Sequence, residues 1–182
     1  MERTLTMTAL FAALIAVLAT VPQIHLPFGV PITMQTLGVM LCGAVLGAKR
    51  GALAVLLYLV VGALGLPIFA GGRGGLAPFV GPSAGFLIGY PVGAFVIGLI
   101  LAHWRAHVGA VTFAASVTGG IGVVYVFGIT GFWLLAPSAT TWWGAAGIMA
   151  VFLPGDLVKA ALAALIVQAL AKARPTALLS RG

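Results

Sequence analysis

Charge is what this sequence has least of: 6% of its 182 residues are Asp, Glu, Lys or Arg, and only two of those are acidic. A soluble domain carries charge on roughly a quarter of its residues, so no water-facing surface can be assembled from this chain. Cysteine is limited to Cys42, in an apolar segment, which excludes an internal disulfide framework and a cysteine-rich metal site. There is no GxxxxGK[ST] phosphate loop, so the chain cannot drive transport by hydrolysing ATP itself. His103 and His107 stand four apart in HWRAH but have no carboxylate nearby. They read as interfacial residues, not metal ligands, and His25 carries no signal. Neither a cofactor nor a metal is expected.

What the chain does have is hydrophobic residues, 62% of the total. Spanning a bilayer takes about 20 mostly apolar residues in a helix. Six apolar stretches are read at about 5–21, 33–48, 51–66, 83–102, 108–135 and 143–171, filling the chain as one membrane domain, 1–182. The predicted class is an all-α integral membrane protein of six helices, with a glycine-rich loop over 66–82 and a basic tail over 172–182 outside lipid. The first stretch follows Glu2 and Arg3 and has signal-peptide features. No good small-residue cleavage site comes after it, and Pro22 to Pro31 reads as a structured turn, so it is expected to remain as the first helix.

The cations set the orientation. With six spans, Arg3, Lys49, Arg50, Arg105, Lys172, Arg174 and Arg181 fall on one side and Arg73 alone on the other. The positive-inside bias then makes both termini cytoplasmic. These cations lie in short clusters between apolar segments, not in a stripe interleaved with aromatics, which argues against a nucleic-acid partner. Trp104, Trp133, Trp142 and Trp143 lie near expected helix ends, where an indole anchors at the headgroups.

Three polar features stand out from this background. Asp156, the only acid after Glu2, lies within the sixth stretch in FLPGDLVKAALAAL, with Lys159 three residues on and on the same helical face. A lone carboxylate at the centre of a membrane helix costs about 2.5–3.5 kcal/mol, so it calls for a partner and a purpose. The pair either neutralises itself or presents an acceptor and a cation to a ligand. Pro154 and Gly155 weaken the helix just before it. The second feature is GVPITMQT, where Thr33, Gln35 and Thr36 offer hydroxyl and amide groups after a proline-restricted turn. Capping of a helix start is an equally good reading of Thr33. The third is the 66–82 loop, in which Gly71, Gly72, Gly74 and Gly75 permit positive φ, Phe69 and Phe79 add apolar weight, and Arg73 suits a carboxylate arriving from outside. It is either a lid or a plain connector. In the first helix, Ala9 and Ala13, with Ala12 and Ala16, give small-xxx-small spacings that allow another helix to pack closely.

Taken together, GVPITMQT, GLPIFAGGRGG followed by GPSAGFLIGYP, and FLPGDLVKA resemble the BioY family, the biotin-specific S components of energy-coupling factor (ECF) transporters. The resemblance runs from about Thr4 to Ala171. It implies a six-helix S-component fold in the bacterial cytoplasmic membrane and a biotin pocket near the outer face, covered by the loop between the third and fourth helices. It further implies that Pro154, Gly155, Asp156 and Lys159 form the family's ligand-holding PGDxxK element. Ala9 and Ala13 look like the contact with a transmembrane coupling subunit, which joins a pair of cytoplasmic ATPases. The expected biotin-binding residues are Asp156, Lys159, Gln35, Thr33, Phe69, Gly71, Gly72, Arg73 and Tyr90, the last from GPSAGFLIGYP. Asp156 would accept from a ureido N–H and Lys159 would donate to the ureido carbonyl or to a bridging water, with Arg73 or Lys159 meeting the carboxylate. The expected activity is binding and uptake, not catalysis. Two other classes fit the same residues: an ion-coupled transporter using Asp156 as its coupling carboxylate, and a non-transporting scaffold or receptor.

Overall fold

Six helical runs follow the apolar stretches: α1 (Glu2–Thr20), α2 (Gln35–Leu46), α3 (Ala48–Ala63), α4 (Ala84–His103), α5 (Val108–Leu135) and α6 (Trp142–Ala173). The structure is a computed structural model that describes every residue except Met1, His25, Phe28, Pro137 to Thr140 and Gly182, together with the side chain of Arg3. No strand forms among the described residues; two isolated bridges, Ile24 with Ile32 and Phe69 with Arg73, tie the loops.

Helix length places the site. α4, α5 and α6 are long and apolar enough to cross a bilayer by length and composition. α3 has 16 residues, which at about 1.5 Å each reach only about 24 Å of a ~30 Å hydrocarbon core. α2 is shorter still, with 7 α-helical residues followed by 5 in a wider π-helical turn. The expected 33–48 and 51–66 therefore become Gln35–Leu46 and Ala48–Ala63. Lys49 and Arg50 do not separate them; the chain turns on the single residue Gly47, at φ +84°. That turn lies at the end of the bundle occupied by the tail, so the shortfall falls at the other end. There the segments 21–34 and 64–83 fill the space above α2 and α3. Irregular backbone at such depth is tolerated where it lines a cavity.

α4 runs through the middle of the bundle, packed on α2, α3 and α5. Its approach to α2 is close enough that a Cβ on Gly43 would strike the Ala94 carbonyl oxygen. α6 opens on Thr141, whose hydroxyl caps the Gly144 N–H at 3.0 Å. It narrows to a 3-10 turn over Ala150–Phe152 just before Pro154, whose ring nitrogen has no hydrogen to donate.

The tail folds back under the bundle, burying Leu178 and Ser180. Ser180 donates from its hydroxyl to the Ala44 carbonyl (2.6 Å) and from its backbone N–H to the Val45 carbonyl (3.1 Å). Those carbonyls belong to the last turn of α2, where the helix itself supplies no donors. Arg181 donates to the carbonyls of Trp104 and Ala106 in the α4–α5 turn.

Candidate functional site

At the loop-covered end, α2, α4, α6 and the two loops enclose a cavity of about 50 Å³. Its lining includes Thr33, Gln35, Thr36, Phe69, Arg73, Phe86, Tyr90, Phe152, Asp156 and Lys159. Asp156 and Lys159 sit one helical turn apart on α6, with only 4% and 7% of their surfaces exposed. Lys159 Nζ lies 2.8 Å from Asp156 Oδ1, the only ion pair among the described residues.

The pair is held by two other helices. The Thr36 hydroxyl on α2 donates to Asp156 Oδ1 at 3.0 Å and accepts from Lys159 Nζ at 3.1 Å. The Tyr125 hydroxyl on α5 donates to Asp156 Oδ2 at 2.6 Å. Burying two charges this deeply is costly unless their remaining hydrogen-bonding capacity is used. Here both carboxylate oxygens are engaged, while the ammonium keeps a third donor beyond Asp156 and Thr36.

A second polar chain lines the wall beside it. Thr33 donates to Gln35 Oε1 (3.1 Å), Gln35 Nε2 to the Tyr58 hydroxyl (2.5 Å), and Tyr58 to the Ile68 carbonyl at the start of the covering loop (3.2 Å). Thr33 stands before α2, not within it, and Gln35 is the first helical residue.

The covering loop is anchored by aromatic packing. Phe69 is buried, edge-on to Tyr58 at 5.4 Å and to Phe79 at 5.6 Å between ring centroids. Phe69 and Arg73 pair through the Phe69 N–H and the Arg73 carbonyl (2.9 Å), and Arg73 Nε donates to the Ala70 carbonyl (3.0 Å). Gly71 and Gly72, at φ +75° and +68°, form the exposed tip of this turn and do not line the cavity. Both are among the expected biotin-binding residues; the tight turn uses their left-handed conformation to bring Phe69 and Arg73 to the cavity.

Four lining or supporting residues were not singled out from the sequence: Tyr58, Phe86, Tyr125 and Phe152. Phe86 stacks edge-on with Tyr125 and with Phe152, at 6.0 and 6.4 Å between ring centroids. The one available signal was a tyrosine hydroxyl inside an apolar run, as in GGIGVVYVFG. On α1, Ala9 and Ala13 face outward, whereas Ala12, Ile15 and Ala19 pack inside. Among the described residues no three His, Cys, Asp or Glu side chains converge as a metal site would require.

A six-helix membrane bundle with one buried, charged and aromatic-walled cavity under a loop defines a membrane-embedded solute-binding protein. Residues 2–176 match the BioY family model. The chain is 53% identical over 190 residues to the biotin transporter BioY of Rhodobacter capsulatus, covering all of both chains. It is 51% identical over 173 residues to that of Rhizobium etli, covering 90% of each. Among solved structures, the crystal structure of the S-component for biotin from an ECF-type ABC transporter superposes with a TM-score of 0.87 at 32% identity, covering 94% of this chain and 92% of that one. The chain belongs to the BioY family, and its fold is that of an S component.

Proposed function

We propose that this protein captures biotin at the outer face of the cytoplasmic membrane and passes it inward as the substrate-specific component of an ECF-type transporter. The observation that carries this reading is the Asp156–Lys159 pair, buried on one wall of the cavity with an oxygen-rich neighbour on each side. Biotin presents two ureido N–H donors beside one carbonyl acceptor, which matches a carboxylate next to an ammonium. Asp156 accepts from a ureido N–H, and the free donor of Lys159 reaches the carbonyl. Phe69, Phe86, Tyr90 and Phe152 enclose the apolar ring system and alkyl chain. Arg73, on the covering loop, meets the carboxylate, which leaves Lys159 to the ureido group.

The enclosed volume of about 50 Å³ is far below the ~300 Å³ or more of a typical small-molecule pocket, so the loop must lift and the aromatic side chains must part for the ligand to enter. Translocation rests on partners: Ala9 and Ala13 offer a lipid-facing, small-residue stripe for a transmembrane coupling subunit, which in turn joins two cytoplasmic ATPases. No covalent step is involved.

Titration calorimetry of biotin into the detergent-purified protein tests the binding step. Saturable one-to-one binding supports the reading, and absence of binding by a folded sample refutes it. Uptake by cells with and without the coupling subunit and ATPases then separates partner-driven transport from an ion-coupled mechanism, in which uptake would persist without them.

A further inference from the structure

The folded-back tail creates a second cavity at the opposite end of the bundle, unconnected with the biotin reading. It has a volume of about 490 Å³ and lies between the start of α3, the start of α5, the end of α6 and the tail. Arg50 and Arg181 supply its charge, and Val108, Ala171, Leu178 and Leu179 supply apolar wall.

Among the described residues this charge meets no carboxylate. Lys49, Arg50, Arg105, Lys172, Arg174 and Arg181 form no ion pair with any described residue. Among the described residues the Arg181 side chain is bound through neutral carbonyls, its terminal nitrogens donating to Ala106 at 3.0 Å and Trp104 at 3.1 Å. Its Nε is buried without a hydrogen-bond partner. Burial and the neighbouring Arg105 both lower its pKa. A buried N–H without an acceptor is costly, and beside Arg50 and Arg105 an anionic acceptor is the one that would also offset the local positive charge.

We propose that this cavity binds the phosphate headgroup of an anionic phospholipid from the cytoplasmic leaflet. The phosphate bridges Arg50 and Arg181, and the glycerol backbone and upper acyl chain lie along Val108, Ala171, Leu178 and Leu179. A basic pocket between helix ends at the cytoplasmic interface is suited to such headgroups. A free phosphate ion would leave the apolar walls unused and most of the volume unfilled.

The test is thermal unfolding and native mass spectrometry of the full-length protein in neutral detergent, titrated with phosphatidylglycerol, with phosphatidylcholine, or with sodium phosphate. Phosphatidylglycerol is expected to raise Tm and to remain bound as one molecule per protein, while phosphatidylcholine and sodium phosphate do neither. Arg50→Gln leaves the carbonyl anchors of Arg181 in place and is expected to weaken phosphatidylglycerol binding about fivefold, as is usual for one cation near a membrane surface. Adding Arg181→Gln should abolish it. Lys172→Gln, an exposed cation outside the cavity, should bind as the unmodified protein does. Equal stabilisation by phosphatidylcholine, an equal shift from sodium phosphate, or unchanged phosphatidylglycerol affinity in folded Arg50→Gln would each overturn the assignment.

Discussion

Replacing Asp156 is the sharpest test of the cavity. Its carboxylate holds three donors, from Lys159 at 2.8 Å, Thr36 at 3.0 Å and Tyr125 at 2.6 Å. Asp156→Asn keeps the shape but removes the charge and turns one acceptor into a donor. A charge-assisted hydrogen bond to a desolvated ligand contributes about 1.5–3 kcal/mol, so biotin affinity should fall by roughly ten- to a hundredfold. The variant also strands the Lys159 ammonium, and breaking a buried pair on one side costs about 3–5 kcal/mol of stability. Affinity must therefore be read by calorimetry on protein shown to be folded by thermal unfolding. The double replacement Asp156→Asn with Lys159→Met removes that stranded charge. If the pair only neutralises itself, the double variant recovers both stability and near-normal affinity. If the pair binds ligand, it recovers stability while affinity stays no better than that of the worse single variant. Near-normal affinity in the folded double variant would refute the reasoning and shift attention to Gln35 and Arg73.

Tyr125→Phe strips a donor from a buried carboxylate and should lower stability by about 1–3 kcal/mol, seen as a reduced Tm in detergent. Ala9→Trp or Ala13→Trp should reduce co-purification with the coupling subunit while leaving calorimetric biotin binding intact; loss of binding instead would mean that this face matters to the pocket. Gly43→Val pushes a side chain into the Ala94 carbonyl and should cost at least the 1–3 kcal/mol typical of overpacking, so an unchanged Tm would contradict the close α2–α4 contact. Reporter fusions at residues 49–50, at 105 and after 174 should register as cytoplasmic and one near Arg73 as external; a cytoplasmic signal near Arg73 would reverse the orientation.

Some of this was legible in the sequence for a plain energetic reason. Asp156 and Lys159 interrupt an apolar run, and a charge in lipid is too costly to be incidental. Tyr125 was not legible, because a tyrosine among valines and glycines is ordinary in a membrane helix. Its value comes from the α5–α6 crossing that brings it to Asp156, 31 residues away. Gln35 drew notice by its amide, but its partner Tyr58 depended on the packing of α3. Gly71 and Gly72 were rightly read as needing unusual backbone, but composition could not say which way the turn would face. The break at Gly47 was hidden by the neighbouring Lys49 and Arg50, which resemble a loop and instead open α3. The docking of the tail was not legible, because the carbonyl that Ser180 caps lies 136 residues earlier in the chain.

That last contact has a consequence for how the protein is made. The Ala44 carbonyl receives its donor from Ser180, 136 residues further along the chain. A ribosome-bound chain that has already inserted α2 through α5 still carries that helix end without its protein donor, left to water or headgroups at the interface. Closure of that end is thus a long-range step that cannot precede synthesis of the tail.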